Sequence, residues 1–400
     1  MTHASLVLIV LVALGVSALP QKTKAAPPSN ADYPPVDKLP AQTELPDPFL
    51  FADGTRVKSK EDWTRRRAEL QAMILHYEYG HLPPAPGNTR GIELSTGKYK
   101  LTKNITNRIF KITCGPDQKV SFVLDLLIPQ GKGPFPVIIR GDMCWGKLDD
   151  EIAAEVVRRG YILADFNRTE LAPDNKNYRE SGVYQAYPDV DGGALAAWAW
   201  GYQRCVDFLV TLDYVHKDKI AITGHSRGGK ATLLAGATDP RIALTAPNNS
   251  GCGGAGSYKL QAPKSEDIKA ITKNFPFWFA PSFTSFIDKT DRLPFDQHEV
   301  KALCAPRALL ETEALGDLWA NPQGSRQTYA ATKEVYTFLG APDKLAIVYR
   351  EGGHAHNADD WNVLLDFADR VFSGKKTDRN FDANPFPDAP KGYSWSAPKE

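Results

Sequence analysis

Along this chain of 400 residues, the spacing of apolar positions changes from a helical period to a period of two and then to short continuous runs. Residues 62–78 have apolar side chains at helical spacing, which predicts an amphipathic helix. Over residues 92–128 polar and apolar positions alternate, most clearly over 120–127. An alternation with a period of two is typical of half-buried strands, so we expect an antiparallel ribbon here.

After residue 134, short continuous apolar runs alternate with helical patterns. Helices are predicted over residues 151–159 and 194–214, and strands over residues 135–140, 161–164, 219–223, 241–246, 307–311 and 345–349. This alternation predicts an α/β fold with a mostly parallel central sheet and helices on both faces, a three-layer sandwich.

The ends of the chain differ in composition from this middle part. The apolar run of residues 6–18 is shorter than the roughly 20 residues that a membrane-spanning helix needs. We therefore interpret residues 1–18 as a signal peptide, with an uncleaved anchor as the alternative. Residues 19–48 are rich in proline and predict an extended arm, residues 49–400 predict one domain, and the tail from 374 is expected to be coil.

The overall charge of the chain excludes some classes of partner. Its formal net charge is +1, so nothing favours nucleic-acid binding, and a substrate has to be recognised by a local site. None of the five cysteines has the spacing of a zinc site. One or two disulfides or buried free thiols are both compatible with this pattern.

A candidate nucleophile lies where an apolar run ends and a small-residue helix pattern begins. The sequence there, residues 224–228, is Gly-His-Ser-Arg-Gly. In a strand–turn–helix setting this motif predicts a nucleophile elbow that presents Ser226. Gly224 and Gly228 relieve the crowding of such a turn.

A serine nucleophile needs a base, and the chain order of an α/β-hydrolase is serine, acid, histidine. His354 follows the last predicted strand and two glycines, so we predict it as the base, with His356 as the alternative. His225 is interpreted as a packing or hydrogen-bonding residue. Asp317, beyond the preceding strand, is the predicted acid, and Glu313 is its rival.

Two cations in the first turn of the elbow helix indicate the kind of substrate. The backbone N–H of Arg227 falls where an oxyanion donor belongs, and its guanidinium could add a second donor or form a salt bridge. Lys230 lies one turn further on the same side. Because cations are unfavourable at a helix N-terminus, they predict an oxygen-rich or anionic substrate.

Two long loops, residues 168–191 and 251–294, follow predicted strands and should cover the carboxyl edge of the sheet. Trp278 and Trp319 lie on segments expected to overhang the site. Aromatic faces stack on sugar rings as readily as they fill cores. For Trp278 both roles remain open, whereas Trp319 is predicted to bind substrate because it follows Asp317 closely.

The motif of residues 224–230 resembles the Gly-x-Ser-Arg-x-Gly-Lys signature of the glucuronoyl esterases, carbohydrate esterase family 15. Residues 196–201, 274–279, 293–298 and 353–354 extend the resemblance over most of the chain. It implies an α/β-hydrolase fold and cleavage of the ester between 4-O-methyl-glucuronic acid on xylan and lignin alcohols. The implied site residues are the nucleophile Ser226, the base His354, the oxyanion-binding Arg227, and Lys230, Trp319 and Glu266 as contacts to the sugar.

The chain departs from the family pattern at two places. Many members carry the triad glutamate where this chain has Asn249, and some bacterial members have an aspartate where it has Asp317. A disulfide of fungal members is also missing, because its positions hold His225 and Ala355. The chain therefore resembles the bacterial-type members and keeps Asp317 as its expected acid.

These inferences predict an exported, monomeric serine esterase acting on the lignin–carbohydrate ester of glucuronoxylan. It should need no metal or organic cofactor and have no nucleic-acid or membrane partner after signal cleavage. An esterase for acetyl or feruloyl groups on polysaccharides is the alternative within enzymes. A carbohydrate-binding protein with a decayed active site is the alternative outside them, since Asn249 replaces the usual acid.

Overall fold

The computed structural model describes Met1 and residues 33–100 and 104–399. The predicted signal peptide, beyond Met1, and the first part of the extended arm lie outside these residues. Of the helices in these segments, none combines the length and the apolar character that crossing a membrane requires. The described end of the arm contains one 3₁₀ turn, Val36–Lys38, and it packs on the domain by burying Val36, Leu39 and Leu45.

A single nine-stranded sheet runs through the molecule in the order β1-β2-β3-β5-β4-β6-β7-β8-β9. The strands are β1 Arg90–Lys98, β2 Ile105–Cys114, β3 Val120–Pro129, β4 Phe135–Arg140, β5 Ile162–Phe166, β6 Val215–His225, β7 Leu244–Asn248, β8 Ala308–Ala314 and β9 Leu345–Arg350. Strands β1 to β3 form the predicted antiparallel ribbon, and β3 joins it to β5 in the antiparallel sense. The remaining pairs are parallel, so the predicted α/β class is confirmed.

Helices lie on both faces of this sheet. They are α1 Lys60–Ile74, α2 Asp150–Arg158, α3 Val183–Ala186, α4 Ala194–Leu209, α5 Arg227–Thr238, α6 Ile268–Asn274, α7 Gln297–Ala302, α8 Pro322–Phe338 and α9 Ala358–Ser373. Along β4, Ile138 joins a core with Val156 of α2 and Leu364 of α9. Its neighbours Val137 and Ile139 join the larger core on the opposite face. Alternate residues of one strand thus pack into two cores, one on each face of the sheet. The sheet and the helices on its two faces form three layers.

The predicted helices at residues 62–78 and 194–214 both form, with different ends. Helix α1 starts at Lys60 and is capped by Ser59, whose Oγ accepts the Asp62 N–H at 3.2 Å. A π-helical turn, Leu75–Tyr79, continues it. Helix α4 stops at Leu209, because the chain has to turn before it enters β6. The two long loops, predicted as coil, contain α3 and α6.

The turn between β6 and α5 is held by close backbone packing. Ser226 has a φ of 56° and a ψ of −122°, a conformation that is strained for a residue with a side chain. A Cβ on Gly224 would lie 2.6 Å from the Gly228 carbonyl oxygen, and one on Gly228 would lie 2.1 Å from Asp142 Oδ1. The turn therefore requires glycine at both positions, as the motif predicts.

We predict that Gly224→Ala lowers the free energy of unfolding by about 1–3 kcal/mol, because the added methyl group meets backbone atoms that cannot move aside. Urea denaturation of the purified protein measures this. Gly97→Ala is the control, since a Cβ there meets nothing within 4 Å and should change stability by less than about 0.5 kcal/mol. Equal stability of the two variants would contradict this account of the turn.

Candidate active site

The elbow places Ser226 at the carboxyl edge of the sheet, where ligands bind in open α/β folds. Hydrogen bonds hold the two peptide groups that lead into Ser226. The Ser226 N–H donates to Asn248 O at 2.9 Å, and the His225 N–H donates to Asp142 Oδ2 at 2.8 Å. Ser226 lies in the wall of a cavity of about 200 Å³. The other lining residues are Arg227, Lys230, Asn249, Ser250, Gly251, Glu266, Phe275, Trp278, Trp319, Ala320 and His354.

The predicted base and acid lie in contact. His354 Nδ1 is 2.5 Å from Asp317 Oδ2, and the Asp317 carboxylate is buried. A carboxylate bonded at Nδ1 fixes the imidazole tautomer and leaves Nε2 as the nitrogen for proton transfer. Since His354 and Ser226 line the same cavity, the geometry suits a serine–histidine–aspartate arrangement.

The alternative acid, Glu313, and the alternative base, His356, are both held in environments that disfavour their charged forms. Glu313 is fully buried in β8, and burial together with the neighbouring Glu311 raises its pKa well above the ordinary value. Burial therefore disfavours the charged form that would stabilise an imidazolium. His356 stacks on Trp361 with 5.1 Å between the ring centroids, and burial lowers its pKa well below the usual range.

His225 packs directly against the predicted base. The two ring centroids are 4.3 Å apart, and Nδ1 of His225 lies 2.6 Å from Asn248 Oδ1. Burial, followed by the nearby His354, lowers the pKa of His225 to about 4. The hydrogen-bonding interpretation agrees with this geometry, but the contact with His354 could not be read from the sequence. A neutral imidazole therefore supports one side of His354.

Asn249 has a place in the site that sequence reasoning missed. Its Nδ2 donates to Ala355 O at 2.9 Å, and its Oδ1 accepts the Ala314 N–H at 2.7 Å. It thereby connects the loop that carries His354 to the end of the strand that leads to Asp317. The sequence marked the position only indirectly, because Asn249 lies just beyond a predicted strand and stands where many glucuronoyl esterases resembling this chain carry the triad glutamate.

Of the two roles expected for the Arg227 guanidinium, the structure shows a salt bridge. Its Nη1 donates to Asp174 Oδ2 at 2.8 Å, and the other oxygen of Asp174 accepts the Trp278 Nε1–H at 2.8 Å. The guanidinium lies 4.6 Å from the centroid of a Trp278 ring. Asp174, on the first long loop, was not predicted. Its charge offsets the cost of a cation at the helix N-terminus.

Lys230 is buried and uses all three of its ammonium protons within the protein. Nζ donates to Ser250 O at 2.8 Å, to Cys252 O at 2.5 Å and to Glu266 Oε2 at 3.2 Å. Glu266 Oε1 in turn accepts the Trp319 Nε1–H at 3.0 Å. Lys230 thus orients a glutamate–tryptophan pair at the cavity wall.

The two tryptophans of the cavity differ in exposure. Trp278 is 2% exposed and stacks on Phe275 with 3.9 Å between centroids, whereas Trp319 is 48% exposed. Trp278 thus packs beneath Arg227, and Trp319 presents a ring to solvent.

One cysteine contacts this arrangement: Cys252 accepts from Lys230 Nζ through its carbonyl oxygen and donates through Sγ to Glu266 Oε2 at 3.3 Å. All five cysteines, each within the described segments, are unpaired, and four of them are buried. Burial raises the pKa of all five thiols. Over the described residues, no group of three or more potential ligands is arranged to hold a metal ion.

Comparison with known proteins gives concordant matches. The family model described as "Glucuronyl esterase, fungi" matches residues 112–340. A 4-O-methyl-glucuronoyl methylesterase 1 of Wolfiporia cocos is 33% identical over 88% of this chain and 85% of its own length. Carbohydrate esterase MZ0003, from an unknown prokaryotic organism, is 32% identical over 92% of this chain and 98% of its own length. The structure of a carbohydrate esterase family 15 glucuronoyl esterase from Caldicellulosiruptor kristjansonii superposes with a TM-score of 0.78 at 32% identity, covering 91% of this chain and 99% of that one.

The lowered pKa of His225 predicts how stability depends on pH. Because the folded pKa of about 4 lies below the ordinary 6.5, the unfolded chain binds a proton more readily. The contribution to stability is complete above pH 6.5 and is lost as the pH falls towards 4. The free energy of unfolding should therefore fall between pH 7 and pH 5 in the unaltered protein. In His225→Gln this fall should be smaller by on the order of 1–2 kcal/mol. Urea denaturation at both pH values measures this, and an unchanged difference would refute it.

Proposed function

This chain belongs to the glucuronoyl esterases of carbohydrate esterase family 15, and we propose that it cleaves esters of 4-O-methyl-glucuronic acid on xylan with lignin alcohols. It is a carboxylic ester hydrolase. The observation that carries the proposed substrate is the single cavity in which Ser226 and the His354–Asp317 pair meet the Lys230–Glu266–Trp319 cluster.

The chemistry proceeds through an acyl-enzyme. Ser226 Oγ attacks the ester carbonyl while His354 Nε2 accepts its proton, and Asp317 stabilises the resulting imidazolium. The tetrahedral intermediate collapses when His354 returns the proton to the oxygen of the departing alcohol. Water then attacks the acyl-enzyme by the same route and releases glucuronate.

Arg227 stabilises the oxyanion of both intermediates. Its backbone N–H belongs to the first residue of α5, where no helical carbonyl precedes it as acceptor. Its side-chain Nε is buried and has no hydrogen-bond partner among the described residues. Asp174 and the Trp278 ring hold the guanidinium in place, so its charge is already positioned when the oxyanion forms.

The Lys230–Glu266–Trp319 cluster recognises the sugar. Glu266 is buried, yet it lines the cavity and offers acceptors to sugar hydroxyl groups. Trp319 supplies an exposed ring of the kind that packs on a pyranose. Trp278 contributes mainly by supporting Arg227 from below.

The organisation of the chain suits a substrate outside the cell. The proposed division is a signal peptide over residues 1–18, an arm over 19–48 and a single catalytic domain over 49–400. The short apolar run of residues 6–18 supports export. The enzyme acts as a monomer without a cofactor.

We predict that Ser226→Ala abolishes hydrolysis of benzyl glucuronate, because the nucleophile is lost. Product release measured by chromatography tests this, and labelling of the unaltered enzyme by a fluorophosphonate at Ser226 gives an independent readout. An unlabelled, inactive wild-type protein would favour the carbohydrate-binding alternative. Equal rates on benzyl glucuronate and on an acetyl ester would favour the acetyl esterase.

We predict that Asp317→Asn lowers kcat by about 10³–10⁴-fold, as loss of a triad carboxylate does in other serine hydrolases. Glu313→Gln is the matched control, since it changes a carboxyl group four residues away whose charged form is disfavoured by burial. It should retain activity within about threefold. Steady-state kinetics on benzyl glucuronate compares them, and the reverse order of effects would make Glu313 the acid.

A further inference from the structure

Trp145 is an exposed aromatic residue beside the active site that the proposed mechanism does not use. It ends a 3₁₀ turn, Met143–Trp145, which follows β4 at the carboxyl edge of the sheet. The side chain is 49% exposed, in the same range as the sugar-facing Trp319 at 48%. An indole exposed to this extent beside the active site is available to contact a bound molecule.

The protein holds this ring rigidly from below. The Arg168 guanidinium, which is fully buried, lies 4.2 Å from the centroid of a Trp145 ring and 5.0 Å from one of Trp198. Arg168 is anchored by Asp142, which is also buried. The turn itself is fixed on its far side, where Arg140 donates to Gly146 O at 3.2 Å. One ring face is thus occupied by a cation and the indole is preorganised.

Trp145 lies on the side of the site where the leaving alcohol is expected, away from the residues proposed to bind the sugar. Its ring is 6.0 Å from that of His225 and 6.0 Å from the guanidinium carbon of Arg227. His225 packs on His354, which has to deliver a proton to the departing oxygen. The Glu266–Trp319 pair forms a different wall of the cavity. The alcohol therefore extends from the His354 side, where Trp145 stands.

We propose that Trp145 forms a subsite for the aryl group of the alcohol portion of the substrate. This inference rests on the proposed function. The cation beneath the indole draws electron density from it, because a cation is attracted to the negative face of an aromatic ring. An indole polarised in this way stacks best with electron-rich rings, such as methoxy-substituted phenyl groups.

The test compares kcat/KM for methyl, benzyl, 4-methoxybenzyl and 4-nitrobenzyl glucuronate. We expect Trp145→Ala to lower the value roughly tenfold for the benzyl and 4-methoxybenzyl esters and less than twofold for the methyl ester. The loss should be greater for 4-methoxybenzyl than for 4-nitrobenzyl. Because each ester is compared between enzymes, the intrinsic reactivity of the leaving group cancels.

Two further variants separate binding from structural damage. Trp145→Phe keeps an aromatic face and should restore most of the preference for aryl esters. Trp319→Ala, on the sugar side, should lower kcat/KM for all four esters by a similar factor. An equal loss on methyl and benzyl esters in Trp145→Ala, or no loss on either, would overturn the aryl subsite. Failure of the unaltered enzyme on every glucuronate ester would instead overturn the proposed function, and the subsite with it.

Discussion

The buried ion pair between Asp142 and Arg168 organises the nucleophile side of the site. One Asp142 oxygen accepts the His225 N–H at 2.8 Å, and the other binds Arg168. The carboxylate occupies the space that a Cβ at Gly228 would need. Removing one partner of such a pair leaves an uncompensated buried charge, at a cost of about 3–5 kcal/mol. The strained turn at Ser226 and the support beneath Trp145 therefore depend on the same two side chains.

The two long loops explain how α5 tolerates two cations in its first turn. Each cation has an anionic partner on a loop, Asp174 for Arg227 and Glu266 for Lys230. Without them, both side chains would face the positive end of the helix dipole unpaired. The pairing also orients an aromatic ring in each case, since Asp174 and Glu266 both accept an indole N–H. The loops thus provide charge balance and ring orientation together.

Local patterns in the sequence predicted the ribbon, the parallel sheet and the turn at Ser226, because strand alternation and glycine spacing are properties of neighbouring residues. Chain order predicted an acid and a base in this part of the chain but left Glu313 and His356 as alternatives to Asp317 and His354, and the structure shows His354 in contact with Asp317. The bonds of Arg227 to Asp174 and of Asn249 to Ala355 could not be predicted in the same way, since their partners are 53 and 106 residues apart and no pattern relates them. The predicted helix 194–214 ended early for a similar reason, because its end is set by the entry into β6.

Asn249 and Asp317 depend on each other chemically. An amide can donate and accept at once, which lets Asn249 bond both Ala355 O and the Ala314 N–H. An ionised carboxylate at this position could only accept, so the bond to the histidine loop would be lost. It would also place a second negative charge in the buried region around Asp317 and raise the pKa of one of the two groups. With the proposed acid, Asp317, on the loop after β8, a neutral residue at the end of β7 can hold the two loops together without adding a charge.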